Sequence, residues 1–160
     1  ANLTAARYGN VDASFPGTGA AGGMGFAFLA YMNTKLESGV KIVLEETGLE
    51  EHIMNADLVV TGEGRLDGQT IWGKAPIGVA KLAKKYGKKV LAFAGSVTED
   101  AKECNAYGID AFFPVIRKAC TLQEAMDSKY AKANIVSTVE QVFRVIEFMG
   151  NSMDVINHYD

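Results

Sequence analysis

The chain has 160 residues, enough for a domain-sized core, with 48% hydrophobic and 22% charged residues, as in an ordinary globular protein. A net charge of −3 and a pI near 5.4 argue against a nucleic-acid partner, which usually shows as a basic excess. No apolar run approaches the ~20 residues that span a bilayer, no signal-peptide pattern is visible, and Cys104 and Cys120 have neither metal nor redox spacing, so a cytoplasmic protein with no membrane partner is expected.

In chain order, residues 1–16 show weak periodicity. Residues 17–25 are glycine-rich and run into an apolar segment at 26–32. Residues 40–47 and 49–55 read as two short helices broken at Gly48, and no strand pattern is evident, so a boundary falls near residue 55. Beyond it, strands and helices alternate. Residues 58–60 read as a strand, and 76–86 as a helix opening on Pro76 and stopped by Gly87. Its apolar residues Val79, Ala80, Ala83 and Tyr86 keep helical spacing, while Lys81, Lys84 and Lys85 take the solvent side.

Residues 90–94 form a second strand, after which Ser96 and Glu99 read as a capping box for a helix ending at Gly108. Residues 111–116 form a third strand, with Pro114 placing it near an edge. Thr121 and Glu124 make a second capping box. The last helix carries Ile135, Val139, Val142, Ile146 and Met149 as one apolar stripe. The alternation predicts an α/β fold with parallel pairing. Three parallel strands leave two open edges. The chain is therefore expected to be part of a larger protein or to pair with another copy, unless strands lie hidden in residues 1–15.

The stretch 61–74, Thr-Gly-Glu-Gly-Arg-Leu-Asp-Gly-Gln-Thr-Ile-Trp-Gly-Lys, reads as a long, charged, flexible connection from strand to helix, as functional loops are built. It resembles two phosphate motifs without matching either. In the dinucleotide pattern, Asp67 stands where the third glycine belongs, and the strand at 90–94 ends in Gly95-Ser96 without the acidic residue that a ribose wants; both count against an NAD enzyme. In the P-loop pattern, Ala75 stands where a hydroxyl should meet Mg²⁺. Gly17-Thr-Gly-Ala-Ala-Gly22 spells GxGxxG, with Glu37 downstream, but it does not leave a strand. Its backbone N–H groups suit an anion, and close helix packing through glycine is the alternative.

Glu63, Arg65, Asp67, Gln69, Thr70 and Lys74 are placed at the carboxyl end of a parallel strand, where open α/β sheets bind ligands. Carboxylates beside cations suit phosphoryl transfer, one holding Mg²⁺ or taking a hydroxyl proton while cations neutralise phosphoryl oxygens. The plain alternatives are an ion pair of Arg65 with Glu63 or Asp67, a turn cap at Thr70 and a solvated Lys74. Trp72 either stacks on an adenine or anchors the loop, anchoring being favoured. Ser96 is a phosphate contact at a helix N-terminus or a simple cap. His52 is expected to be exposed, and neither it nor His158 to be catalytic.

These segments together resemble the bacterial glycerate kinases of the glycerate 2-kinase type. The resemblance rests on Pro16-Gly-Thr-Gly-Ala-Ala-Gly-Gly-Met-Gly25, on Ala56-Asp-Leu-Val-Val-Thr-Gly-Glu-Gly-Arg-Leu-Asp67, on Gln69-Thr70 and on Gly73-Lys-Ala-Pro-Ile-Gly-Val-Ala80. Phe93-Ala-Gly95 and Gly108-Ile-Asp-Ala111 add to it, and it runs to about residue 148. The resemblance implies transfer of the ATP γ-phosphate to a hydroxyl of D-glycerate with Mg²⁺, giving 2-phosphoglycerate. It implies two α/β domains with the active site in the cleft between them. Residues 1–55 would be the C-terminal part of an inserted domain, and 56–160 the C-terminal half of a Rossmann-like domain, a partial βαβαβα sheet.

The chain would then be a C-terminal portion, inactive alone, with a homodimer as one arrangement. On this resemblance Asp67 would be base or Mg²⁺ partner, and Arg65 and Lys74 would stabilise phosphate or the glycerate carboxylate. Glu63 would support the metal or orient Arg65. Gly17, Thr18, Gly19, Gly22 and Gly23 would hold an anion, with Gln69, Thr70 and Ser96 as further binding residues. A non-catalytic nucleotide- or sugar-acid-binding module is the competing reading.

Overall fold

The structure, a computed structural model, describes residues 12–32 and 34–156. Residues 1–11, which make up most of the stretch where a hidden strand would lie, and His158 fall outside them. The chain divides into two compact units, Ala1–Gly48 and Leu49–Asp160.

The first unit contains helices α1 (Ala20–Tyr31) and α2 (Gly39–Glu46). Inside α1 the backbone leaves helical geometry at Ala21, Gly22 and Gly23, all at positive φ. Downstream, the helix passes hard against the preceding turn. A Cβ on Gly25 would lie 2.1 Å from the Gly17 carbonyl oxygen, and the Phe26 amide donates to the Thr18 carbonyl at 3.0 Å. Close packing thus accounts for Gly25.

The second unit begins with α3 (Leu49–Met54). It continues through β1 (Leu58–Leu66), a 3₁₀ turn (Gly68–Trp72), α4 (Ala75–Lys85), β2 (Lys89–Val97), a longer 3₁₀ segment (Glu99–Tyr107) and β3 (Ala111–Pro114). It ends with α5 (Leu122–Met126) and α6 (Ser128–Ile156). The three strands form a parallel sheet in the order β1-β2-β3. Alternation along each strand sends side chains to two faces. One face buries Val59, Val90, Ala92 and Ala94 against Ile77, Ala80 and Ala83 of α4. The other places Leu91 and Phe93 against Val115 and against Val139 and Val142 of α6. Only this middle part of the apolar stripe is covered; Ile135, Ile146 and Met149 are exposed.

The sequence places α3 before the boundary near residue 55, yet it packs with the second unit. Ile53 joins the α4 face of the core, and the Glu50 carboxylate accepts from Lys85 Nζ at 2.6 Å and from the Tyr86 hydroxyl. The strands also extend further than their apolar runs. Pairing continues through Glu63↔Ala94 to Leu66↔Val97, so the first part of the expected loop, residues 61–66, is ladder. Backbone hydrogen bonding to a neighbour has overridden the glycine signal, a tertiary effect that local propensity does not contain. One consequence corrects the reading of Ser96. It lies inside β2, not at a helix start, and makes no capping box with Glu99. Thr98 takes the N-cap position of a 3₁₀ segment instead. The Thr121–Glu124 box is present as expected.

Asp110, in the turn before β3, ties the sheet to α4. Its carboxylate accepts from the Val90 amide at 2.7 Å and from Lys84 Nζ at 2.5 Å, with Lys89 Nζ at 3.5 Å. Partial burial pushes its pKa up, but the Lys84 hydrogen bond, the Val90 amide and the nearby lysine charges outweigh this and hold it below the usual value. An acid lowered in the folded state stabilises the fold above its unfolded pKa, and that stability is lost as pH falls through the folded one. Asp110→Asn is therefore expected to destabilise the protein at neutral pH and to shrink the drop in urea midpoint below about pH 3.9. An unchanged acid limb in the variant would show that Asp110 does not couple protonation to folding.

Candidate active site

The site is built at the carboxyl end of β1 and in the turn that follows. Leu66, fully buried, pins the strand end to the core. Asp67 then adopts an extended conformation (φ −149°) and caps the 3₁₀ turn, while Gly73 (φ 100°) closes it in the left-handed region that glycine tolerates. Lys74 stands just before α4. This tight path returns Lys74 to the strand end and gathers Glu63, Asp67, Thr70 and Lys74 into one cluster.

Lys74 Nζ lies 3.2 Å from Asp67 Oδ1 and 3.6 Å from Glu63 Oε1. The Gln69 amide donates to Asp67 Oδ1 at 3.1 Å, and the Asp67 amide donates to Thr70 Oγ1 at 3.2 Å. The Thr70 hydroxyl is fully buried, 3.2 Å from Asp67 Oδ1 and 3.4 Å from Glu63 Oε2, with one proton to give to either. Thr70 is thus more than a turn cap, because it bridges the two carboxylates.

The charges set each other. Partial desolvation raises the Asp67 pKa, but the Lys74 hydrogen bond and charge, the Thr70 hydroxyl and the Gln69 amide outweigh it and hold Asp67 below its ordinary value. Desolvation likewise lowers the Lys74 pKa, and Asp67 and Glu63 together overcome it and keep the ammonium above its ordinary value. The Lys74 ammonium is thus held between the side chains of Glu63 and Asp67 at the strand end.

The other predicted site residues fall elsewhere or act differently. Arg65 is mostly exposed, with Nε 3.8 Å from Asp67 Oδ2. Gln69 contributes its backbone, and its side chain is exposed. Trp72 is 85% exposed, so it does not anchor the loop against the described residues. Ser96 lies opposite Arg65 in the β1–β2 register. In the first unit, Gly17 (φ 95°) precedes Thr18, whose hydroxyl is directed at the carbonyls of Ala13 and Phe15 at 2.9 and 2.8 Å. It is used within its own turn. Gly19 caps α1, and Gly22 and Gly23 sit in its distorted stretch. His52 is exposed, as expected.

The sequence reading missed the 3₁₀ segment as a buttress. Thr98 donates its amide to the Leu66 carbonyl at 3.0 Å and its hydroxyl to Asp100 Oδ1. Asp100 Oδ2 crowds Gly68 so closely that a Cβ there would lie 2.6 Å away. The buried Cys104 thiol sits 3.9 Å from the Asp67 carbonyl oxygen. The polar Thr-x-Asp immediately after β2 was the available signal. Among the described residues no group of three or more His, Cys, Asp or Glu could by itself hold a metal ion, and no helix is long and apolar enough to cross a membrane.

Comparison with known proteins places this arrangement. The family model described as the glycerate kinase family matches residues 1–147. A glycerate 2-kinase of Escherichia coli (strain K12) is 50% identical over 129 residues, which cover 78% of this chain and 34% of the relative. A glycerate kinase of Halalkalibacterium halodurans is 47% identical over 126 residues, 79% of this chain and 33% of its own. The crystal structure of a chain described as glycerate kinase 2 from Salmonella typhimurium LT2 superposes with a TM-score of 0.52 at 40% identity, covering 80% of this chain and 32% of that one. The chain spans about a third of the length of these relatives and matches their C-terminal part. It belongs to the glycerate kinase family.

Proposed function

We propose that this chain supplies one part of an ATP-dependent kinase acting on D-glycerate in the cytoplasm. The part before α3 would be the tail of an inserted domain, and α3 with the residues after it would belong to the second half of a Rossmann-like one, which moves the boundary read near residue 55 to Gly48. The observation that carries the reading is Lys74, held between Glu63 and Asp67 at the carboxyl end of a parallel strand. In phosphoryl transfer the γ-phosphorus leaves the bridging oxygen of ADP for the glycerate hydroxyl oxygen, and the hydroxyl proton passes to a base. Little covalent work falls to the protein; it positions groups and neutralises charge.

In this reading Lys74 faces the phosphoryl oxygens, and Arg65, exposed at the rim, meets phosphate or the glycerate carboxylate. Glu63 and Asp67 supply the one or two carboxylates that Mg²⁺ typically takes from protein when phosphates and water complete its shell. The lowered pKa of Asp67 suits a group that stays charged better than one that takes a proton. The relative that is 50% identical is named a glycerate 2-kinase, which favours the 2-hydroxyl as acceptor. Gly17, Thr18, Gly19, Gly22 and Gly23 are assigned to anion contact through the backbone, with Gln69 and Thr70 supporting the cluster.

A coupled assay with ATP, Mg²⁺ and D-glycerate tests this at the full length of the relatives. ADP release that depends on D-glycerate is expected, and phosphorus NMR of the product identifies the hydroxyl. Nucleotide binding without turnover at that length would support a non-catalytic binding module instead.

A further inference from the structure

A cavity of about 570 Å³ opens on the sheet face opposite α4, beneath α5 and α6. The sequence creates it. On this face β1 presents Val60, Gly62 and Gly64, and β2 presents Phe93 and Gly95, so side chains stop where the strands approach their carboxyl ends. Two of these glycines are required by the backbone, while a Cβ on Gly64 would meet nothing within 4 Å. A Cβ on Gly62 would lie 2.5 Å from the Phe93 carbonyl oxygen, and one on Gly95 2.5 Å from that of Gly64. The result is a flat backbone floor, the arrangement in which strand glycines admit a ligand closely. Phe93, Val115 and Val139 give apolar walls.

One polar side chain stands out in it. Asn134 of α6 lines the cavity and is 8% exposed, yet no described residue hydrogen-bonds its amide. Since no polar side-chain atom among the described residues is sealed off without a partner, that amide reaches the open volume. With no protein partner and open to the cavity, the amide keeps its donor and acceptor available to a bound molecule. An amide carries a donor and an acceptor side by side, the pair that reads the edge of adenine. Thr61, Gly62, Glu63 and Gly64 also line the cavity, so it shares Glu63 with the Lys74 cluster.

We propose that this cavity holds the adenine ring of a nucleotide. The base lies flat over Gly62, Gly64 and Gly95, with its edge on the Asn134 amide and its phosphates directed toward Lys74. The assignment rests on the kinase reading for the identity of the nucleotide, and on the cavity for its place. It also gives Ser96, which lines the same cavity, a position beside the bound nucleotide rather than at a helix start.

The test is made at the full length of the relatives. Adenosine and inorganic tripolyphosphate are titrated separately by calorimetry, and turnover is followed with ATP and with GTP. Asn134→Leu is expected to weaken adenosine by roughly 10- to 100-fold, the usual worth of such a paired contact, and to raise the KM for ATP similarly, while tripolyphosphate affinity stays unchanged. The unaltered protein is expected to prefer ATP over GTP, a readout that does not depend on the variant folding. Equal adenosine affinity in Asn134→Leu, or no preference between ATP and GTP, would overturn the assignment even if D-glycerate is phosphorylated. Adenosine binding lost in Asn134→Leu without any turnover would keep the cavity and remove the kinase reading.

Discussion

Lys74→Ala is expected to lower kcat for glycerate phosphorylation by about 10²- to 10³-fold at the full length of the relatives, the usual cost of removing one preorganised charge stabiliser. The geometry explains why the loss should fall on kcat. Lys74 Nζ is already positioned by Asp67 at 3.2 Å and Glu63 at 3.6 Å, so its charge needs no rearrangement when phosphoryl oxygens gain negative charge. Removal also leaves two carboxylates facing each other across the Thr70 hydroxyl. Without the lysine, desolvation acts on Asp67 with less opposition, so the Asp67 pKa rises toward or above its ordinary value. Carbon-13 NMR titration of the side-chain carboxyls in Lys74→Met detects that rise. A variant with unchanged kcat and an unmoved Asp67 titration would show that Lys74 is only a solvated cation.

Leu66→Ala is expected to destabilise the protein by about 2–5 kcal/mol, the range for truncating a buried leucine. That is a large share of the 5–15 kcal/mol by which domains are usually stable. Leu66 is fully buried in the cluster formed with Ile77, Ala80 and Ala101. It is also the residue before Asp67, and its carbonyl accepts from Thr98. The cavity left by truncation would loosen the point from which the polar cluster is hung, so activity should fall along with the urea midpoint. A loss below about 1 kcal/mol, the scale of a surface change, would mean that β1 does not end against a packed core.

Much of the fold is legible in the sequence because local rules agree with one another. Pro76 and Gly87 bracket α4, and its lysines face solvent. Gly48 and Gly108 stop the segments before them. Thr121 and Glu124 make a capping box within four residues of chain. The polar cluster was legible for a similar reason: Glu63, Asp67, Thr70 and Lys74 lie within twelve residues, from the end of β1 to the start of α4, so a tight turn between those elements brings them together.

What the sequence concealed depends on long-range pairing. Residues 61–66 read as a loop because glycine and charge disfavour strands, yet pairing with 92–97 makes them strand. The same pairing moved Ser96 from a helix cap into β2. Thr98, Asp100 and Cys104 support the Asp67 turn from more than thirty residues away, and no window of local sequence contains that contact. Nothing in the sequence singled out Asn134, because its place over the sheet is set by how α6 packs.

By itself the sequence determined the α/β class, the family and the charged turn at the end of β1, because these follow from periodicity, capping and closely spaced motifs. Only the tertiary structure decided how far the ladder runs, which groups buttress Asp67, and that glycines from two strands and an amide from α6 enclose one cavity. Those depend on backbone pairing and packing between segments distant in the chain, where burial and hydrogen bonding outweigh local preference.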